Sequence, residues 1–190
     1  HSKEENSKYV SNLFEKMYMF SFSTIFCLIP VTKVVTQVIL SADYKIGSIY
    51  IGFLYLGAIF QGFSTFASVG YLQSKKTARA ATSSLAGAII NLLVDFILIK
   101  SVGLFAAALS TYAGFLVMWL VRMYDIRNDW PIAVNIPKFT IMTLAATAIA
   151  TVTIWTTVKI DAIMTVLFGV LFIALNKNYI QVVIQKIKHK

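Results

Sequence analysis

Three windows of this chain, residues 46–74, 101–121 and 139–158, contain no Asp, Glu, Lys or Arg. Each is as long as the roughly 20 residues that an α-helix needs to cross about 30 Å of hydrocarbon at ~1.5 Å per residue. In lipid every backbone polar group must be satisfied within the protein, so only helices and closed barrels span. Barrel strands alternate polar and apolar residues over about ten positions. These windows are continuous and longer, which predicts helices. Charge content agrees: 13% of the 190 residues are charged and 58% are hydrophobic. A soluble domain carries about 25% charged residues, so this chain has too few charges to cover a water-facing surface.

The expected fold is all-α: a polytopic membrane domain of six transmembrane helices over residues 13–176. The helices are expected at 13–40, 46–72, 77–100, 103–124, 138–158 and 161–176, with Pro137 suited to a first helical turn. Residue 1 is His rather than Met, and residues 1–12 read as a cytoplasmic loop of a chain truncated on its N-terminal side. Residues 177–190 read as a basic cytoplasmic tail. Its Ile180, Val183, Ile184 and Ile187 stand at helical spacing, which suits an amphipathic segment on the membrane surface.

The net charge of +9 does not point to nucleic acid, because the basic residues lie between the apolar runs. Cytoplasmic loops are enriched in Lys and Arg. With six spans, thirteen of the seventeen basic residues fall on one side, and Lys33, Lys45, Lys100 and Lys159 fall on the other. If the last helix did not cross, that bias would vanish. The expectation is therefore that both ends are cytoplasmic. The outward loops, Ser41–Lys45, Lys100–Val102 and Val158–Ile160, are too short to hold a catalytic domain.

No enzyme motif stands out, and no catalytic residue, metal ligand set or cofactor is expected. His1 and His189 are the only histidines, and Cys27 is the only cysteine, which excludes an internal disulfide.

Two stretches resemble a known family. One is Gly70-Tyr-Leu-Gln-Ser-Lys-Lys-Thr77, a basic turn after a long helix. The other is Gly87 to Asp125, GAIINLLVDFILIKSVGLFAAALSTYAGFLVMWLVRMYD. Asn91, Gly103, the run Ala106-Ala107-Ala108-Leu109-Ser110-Thr111 and Arg122 follow the order and spacing of the C-terminal domain of polysaccharide biosynthesis proteins, the O-antigen flippases of the Wzx type. These belong to the multidrug/oligosaccharidyl-lipid/polysaccharide transporter superfamily. Ala106 replaces a usual Gly, Lys100 stands near a common Pro, and Asp95 replaces an Asn or an apolar residue.

The resemblance covers about residues 10–185. It implies six of the fourteen helices of a two-lobed transporter in a bacterial-type inner membrane, working by alternating access. The implied cargo is an undecaprenyl-diphosphate-linked oligosaccharide, an O-antigen or capsule repeat unit. The implied partners are membrane lipid, the preceding lobe of the same protein and a polysaccharide polymerase. A multidrug or other exporter of the superfamily, or a non-transporting scaffold of polysaccharide synthesis, are the alternatives.

Against that background the polar residues inside the apolar runs acquire two readings each. Gln61, Ser64, Thr65 and Ser68 share one helical face. They are either a wall offering an amide and hydroxyls to sugar, or helix–helix glue. Ser83, Gly87, Asn91 and Asp95 are spaced by four. Asp95 is an acid within an apolar run and a possible cation or proton site, or a partner for Lys100. Lys75, Lys76, Arg79 and Arg122 suit a diphosphate head group, or else set topology and touch anionic lipid. The small residues Gly103, Ala107, Thr111, Ala106, Ser110 and Gly114 are expected to let helices approach closely.

Overall fold

A computed structural model of the chain describes residues 3–40 and 45–177. Its order is α1 (Lys3–Ile39), a short 3-10 turn (Ile46–Ile49), α2 (Ile51–Gln73), α3 (Thr77–Val102), α4 (Phe105–Ile126), α5 (Ile136–Trp155) and α6 (Val158–Leu175). Among the described residues there are no strands. Six helices are long and apolar enough to cross a membrane. The fold class and the helix count agree with the sequence pattern.

The helix ends differ in an instructive way. Residues 3–12, expected as a loop, are the first turns of α1. Lys100–Val102 is the last turn of α3, and the reversal comes one step later at Gly103, whose φ of +58° favours glycine. Val158–Ile160 begins α6, and the break lies at Thr156–Thr157, which are extended. In each case hydropathy marks where the charges begin. Lys, Glu and Gln are nonetheless good helix formers, so the helix outruns the apolar window. The Ser41–Lys45 loop falls on residues 41–44, and the amphipathic tail on 178–190, both outside the described residues.

Consecutive helices run up and down. Two ends are thereby defined, one carrying the turn at Lys75 and the other the turn at Gly103. At the Lys75 end, Ser74 Oγ donates to Gly70 O at 2.7 Å and closes α2. Asn135 caps α5, its Oδ1 accepting from Lys138 N at 3.2 Å, with Pro137 in the first turn as expected.

The core is aromatic. Phe14, Tyr18 and Phe22 are spaced by four along one face of α1 and are fully buried. They meet Phe60 and Phe63 of α2, Trp119 of α4 and Phe139 of α5. Trp119 stacks on Phe139 with centroids 4.8 Å apart, and Tyr18 meets Phe139 edge-on at 5.2 Å. Such pairs add about 0.5–1.5 kcal/mol each beyond burial.

Around this core, α1 touches α2, α5 and α6, while α4 lies between α2 and α3. The peripheral helices α3 and α6 bury few residues: Ser83 and Gly87 on α3, and Asp161 on α6. Both present apolar residues outward, including Leu92, Phe96, Val166 and Val170, which suits lipid.

Candidate functional site

Helices α3 and α4 touch where glycine meets glycine. A Cβ on Gly87 would lie 2.9 Å from Gly114 O, and one on Gly114 would lie 2.8 Å from Gly87 O. The four-residue spacing of small side chains therefore does bring these backbones together. Beside this contact is a cleft of about 390 Å³, lined by Gln61 and Thr65 of α2, Ser84, Gly87, Ala88 and Asn91 of α3, and Gly114, Phe115, Met118 and Arg122 of α4. A volume in the range of roughly 300–1,000 Å³ suits part of a small polar ligand.

Arg122 closes one side of the cleft. It lies inside α4, is 7% exposed and reaches across two other helices. Its Nη1 donates to Ser64 O at 2.8 Å and to Ser68 Oγ at 2.5 Å on α2. Its Nε donates to Ser83 Oγ at 3.0 Å, and Nη2 to Ser84 Oγ at 2.9 Å, on α3. The serine hydroxyls are arranged to accept. Ser68 Oγ donates its own hydrogen to Ser64 O, and Ser83 and Ser84 donate theirs to Ala80 O, each at 2.9 Å. With the proton spent on the parent helix, only lone pairs remain for the guanidinium.

Four of the five N–H donors of Arg122 are thus engaged, all by neutral oxygens. Among the described residues no carboxylate lies within ion-pair distance. The nearest acid in sequence on that face, Asp125, is taken by Tyr71, whose hydroxyl donates to Oδ2 at 3.1 Å, and by Arg79, 3.6 Å from Oδ1. The cleft is consequently bordered by a net positive charge in a region of low polarity, where a charge acts strongly.

The sequence-derived residues divide as follows. Gln61, Thr65 and Asn91 line the cleft; Ser64 and Ser68 hold Arg122 and do not line it. The stripe on α2 is both wall and glue. Lys75 and Lys76 stay outside the cleft on the turn. Lys75 is exposed, with φ at +56°. Lys76 pairs with Asp129 at 2.5 Å, and Arg79 with Asp125. Exposed pairs of this kind are worth about 0–1 kcal/mol. Asp95 lies one turn beyond Asn91, outside the cleft lining. It forms no ion pair with Lys100, and its buried Oδ1 has no hydrogen-bond partner.

One cluster escaped the sequence reading. Lys33, grouped above with charges on the outward side, is buried inside the bundle at the Gly103 end, 6% exposed. Its ammonium lies 3.1 Å from Oδ2 of the fully buried Asp161 and donates to Thr153 O, to Thr156 O at 2.7 Å and to Thr156 Oγ1 at 3.3 Å. The long lysine stem carries the charge inward to the carbonyls at the end of α5, where the helix dipole favours a cation. Without Lys33 the basic residues still divide thirteen to three. The available signal was a lysine interrupting an apolar run, assigned to the outward side, and an acid at the start of the last expected helix, which was not singled out.

Among the described residues no three His, Cys, Asp or Glu side chains gather as a metal site. No protein-family model matches the chain, and neither curated proteins nor solved structures gave a match.

Proposed function

We propose that the chain is part of a transporter that moves a lipid-linked oligosaccharide across a membrane, and that the cleft between α2, α3 and α4 belongs to the substrate path. The supporting observation is Arg122: a permanent cation, held by neutral acceptors from two helices, beside a cleft lined with an exposed amide and hydroxyl. A buried charge is costly unless compensated, and here the compensation stops at hydrogen bonds. An anionic diphosphate approaching the cleft would supply the absent counter-charge, with the remaining N–H of Arg122 as its contact. Gln61, Thr65, Ser84 and Asn91 offer hydrogen bonds to sugar hydroxyls, and Phe115 and Met118 offer apolar contact.

In this reading the chain contributes six helices to a two-lobed carrier of the Wzx-type flippase kind, with both ends cytoplasmic. Transport proceeds by rocking of lobes about a site near mid-membrane. In the same reading the Lys75 turn and Arg122 lie toward the cytoplasmic side, from which the diphosphate would enter.

The test is complementation of a deletion strain with Arg122→Gln in the full-length protein. The expected outcome is a roughly 10- to 100-fold fall in surface polysaccharide export, since one hydrogen bond to a charged group is worth about 1.5–3 kcal/mol. Lipid-linked intermediates should accumulate on the inner face. Normal export by a stably expressed Arg122→Gln protein overturns the assignment. Cation-dependent dye efflux by the wild type, with unchanged glycan export on deletion, would move the function to drug export.

A further inference from the structure

The ammonium of Lys33 occupies a set of oxygens with the chemistry of an alkali-cation site. Four ligand atoms surround it: Thr153 O, Thr156 O at 2.7 Å, Thr156 Oγ1 at 3.3 Å and Asp161 Oδ2 at 3.1 Å. Two are main-chain carbonyls from the end of α5, where carbonyls lack helical partners and the helix dipole is negative. The third is a hydroxyl and the fourth a carboxylate. All are hard oxygen donors, the kind that hard cations select.

The charge count narrows the class. Asp161 is the single acid, so a +1 ion leaves the site neutral and a +2 ion does not. The carboxylate is held in place: Thr156 Oγ1 donates to its Oδ1 at 2.5 Å, and Asp161 N donates to Thr157 O at 3.0 Å. Its Oδ2 is buried and has no hydrogen-bond partner besides the facing ammonium. The cradle is therefore fixed by α5, α6 and the Thr156–Thr157 corner, whereas its occupant arrives on a flexible stem from α1. Broken helix ends that aim carbonyls at a cation are a recurrent way to bind sodium inside membranes.

We propose that Thr153, Thr156 and Asp161 form a monovalent-cation site, whose resident occupant is the tethered ammonium of Lys33. The site lies at the Gly103 end, separate from the cleft, and it stands whether or not the oligosaccharide reading holds. The tether keeps the ammonium at high effective concentration, so free ions are excluded until Lys33 leaves. When α1 shifts relative to α5 and α6, the ammonium withdraws and an alkali ion takes its place.

The test is thermal unfolding of the purified full-length protein in detergent, in lithium, sodium, potassium or choline chloride at equal ionic strength. The wild type should unfold at the same midpoint in all four salts. Lys33→Ala should gain a midpoint rise with at least one alkali ion over choline. The rise should be roughly 3 °C or more once the ion exceeds its Kd tenfold. Adding Asp161→Asn to Lys33→Ala should abolish the rise. The proposal is overturned if Lys33→Ala responds equally to all four salts, or yields no folded protein in any of them. It is equally overturned if the alkali response persists in the Lys33→Ala/Asp161→Asn protein.

Discussion

Arg122 shows how a residue readable as a helix-end cation becomes something else in three dimensions. Its position near the end of α4 was legible. Its burial was not, because that depends on serines of α2 and α3 arriving together with their own protons already committed. A guanidinium serves these acceptors from a planar fork, and an ammonium does not. Arg122→Lys should therefore lose at least two of the four bonds. At about 1 kcal/mol or more each, and roughly 2–4 °C per kcal/mol, the unfolding midpoint should fall by several degrees in a fluorescence melt. An unchanged midpoint would show that the serines are not a cradle. Asp95 gives the opposite forecast. Its buried Oδ1 has no partner, and an uncompensated buried charge is costly, so Asp95→Asn should leave the unfolding midpoint unchanged or raise it. The same variant should lower transport; full activity would reduce Asp95 to a passenger. Lys33 and Asp161 were individually visible, but nothing local to either says that α1 and α6 bring them face to face.

At the level of elements, three of the six spans followed from the charge-free windows, two more were read across Lys33 and Asp95, and the last rested on the balance of basic residues. The helix ends followed from none of these, because hydropathy measures the solvent and not the backbone. That α4 packs closely was also legible, since Ala106, Ser110 and Gly114 repeat every fourth position, but its partner was not. The contact itself required the structure: Gly87 meets Gly114, with Asn91 beside it. Gly114→Leu should force the helices apart, because even its Cβ would stand 2.8 Å from a backbone oxygen. Overpacking of this kind costs about 1–3 kcal/mol, and opening the contact would also misplace Arg122. The expected result is a lower unfolding midpoint and, on the proposed function, loss of polysaccharide export. Gly62, where a Cβ meets nothing within 4 Å, should accept Ala without either effect and serves as the control.

For the molecule as a whole, the two ends of the bundle make a direct forecast. Cys27 is the one cysteine of these 190 residues, so Cys27→Ser, with any cysteine elsewhere in the full-length protein also replaced, provides the background. In it, Lys75→Cys should react with a membrane-impermeant maleimide only after the cells are opened, and Leu104→Cys should react in intact cells. Labelling of both from the same side would undo the proposed topology. The length of α1 bears on how such a bundle moves. Its 37 residues extend about 55 Å at ~1.5 Å each, well beyond the ~30 Å of hydrocarbon. Near its start Ser7 donates to Pro131 O and Ser11 accepts from Ala133 N, both at 2.8 Å, and Glu15 pairs with Lys138 at 2.7 Å. These three positions, spaced by four, lash the connection between α4 and α5 to the helix. This link is thus held along the helix instead of hanging as slack. α1 thereby joins the connection at the Lys75 end to the Lys33–Asp161 pair at the Gly103 end, with Pro30 between them. Pro30 interrupts the hydrogen-bond ladder between the two, so it is the place where α1 can bend when its lashed end moves relative to Lys33, which rests against Asp161.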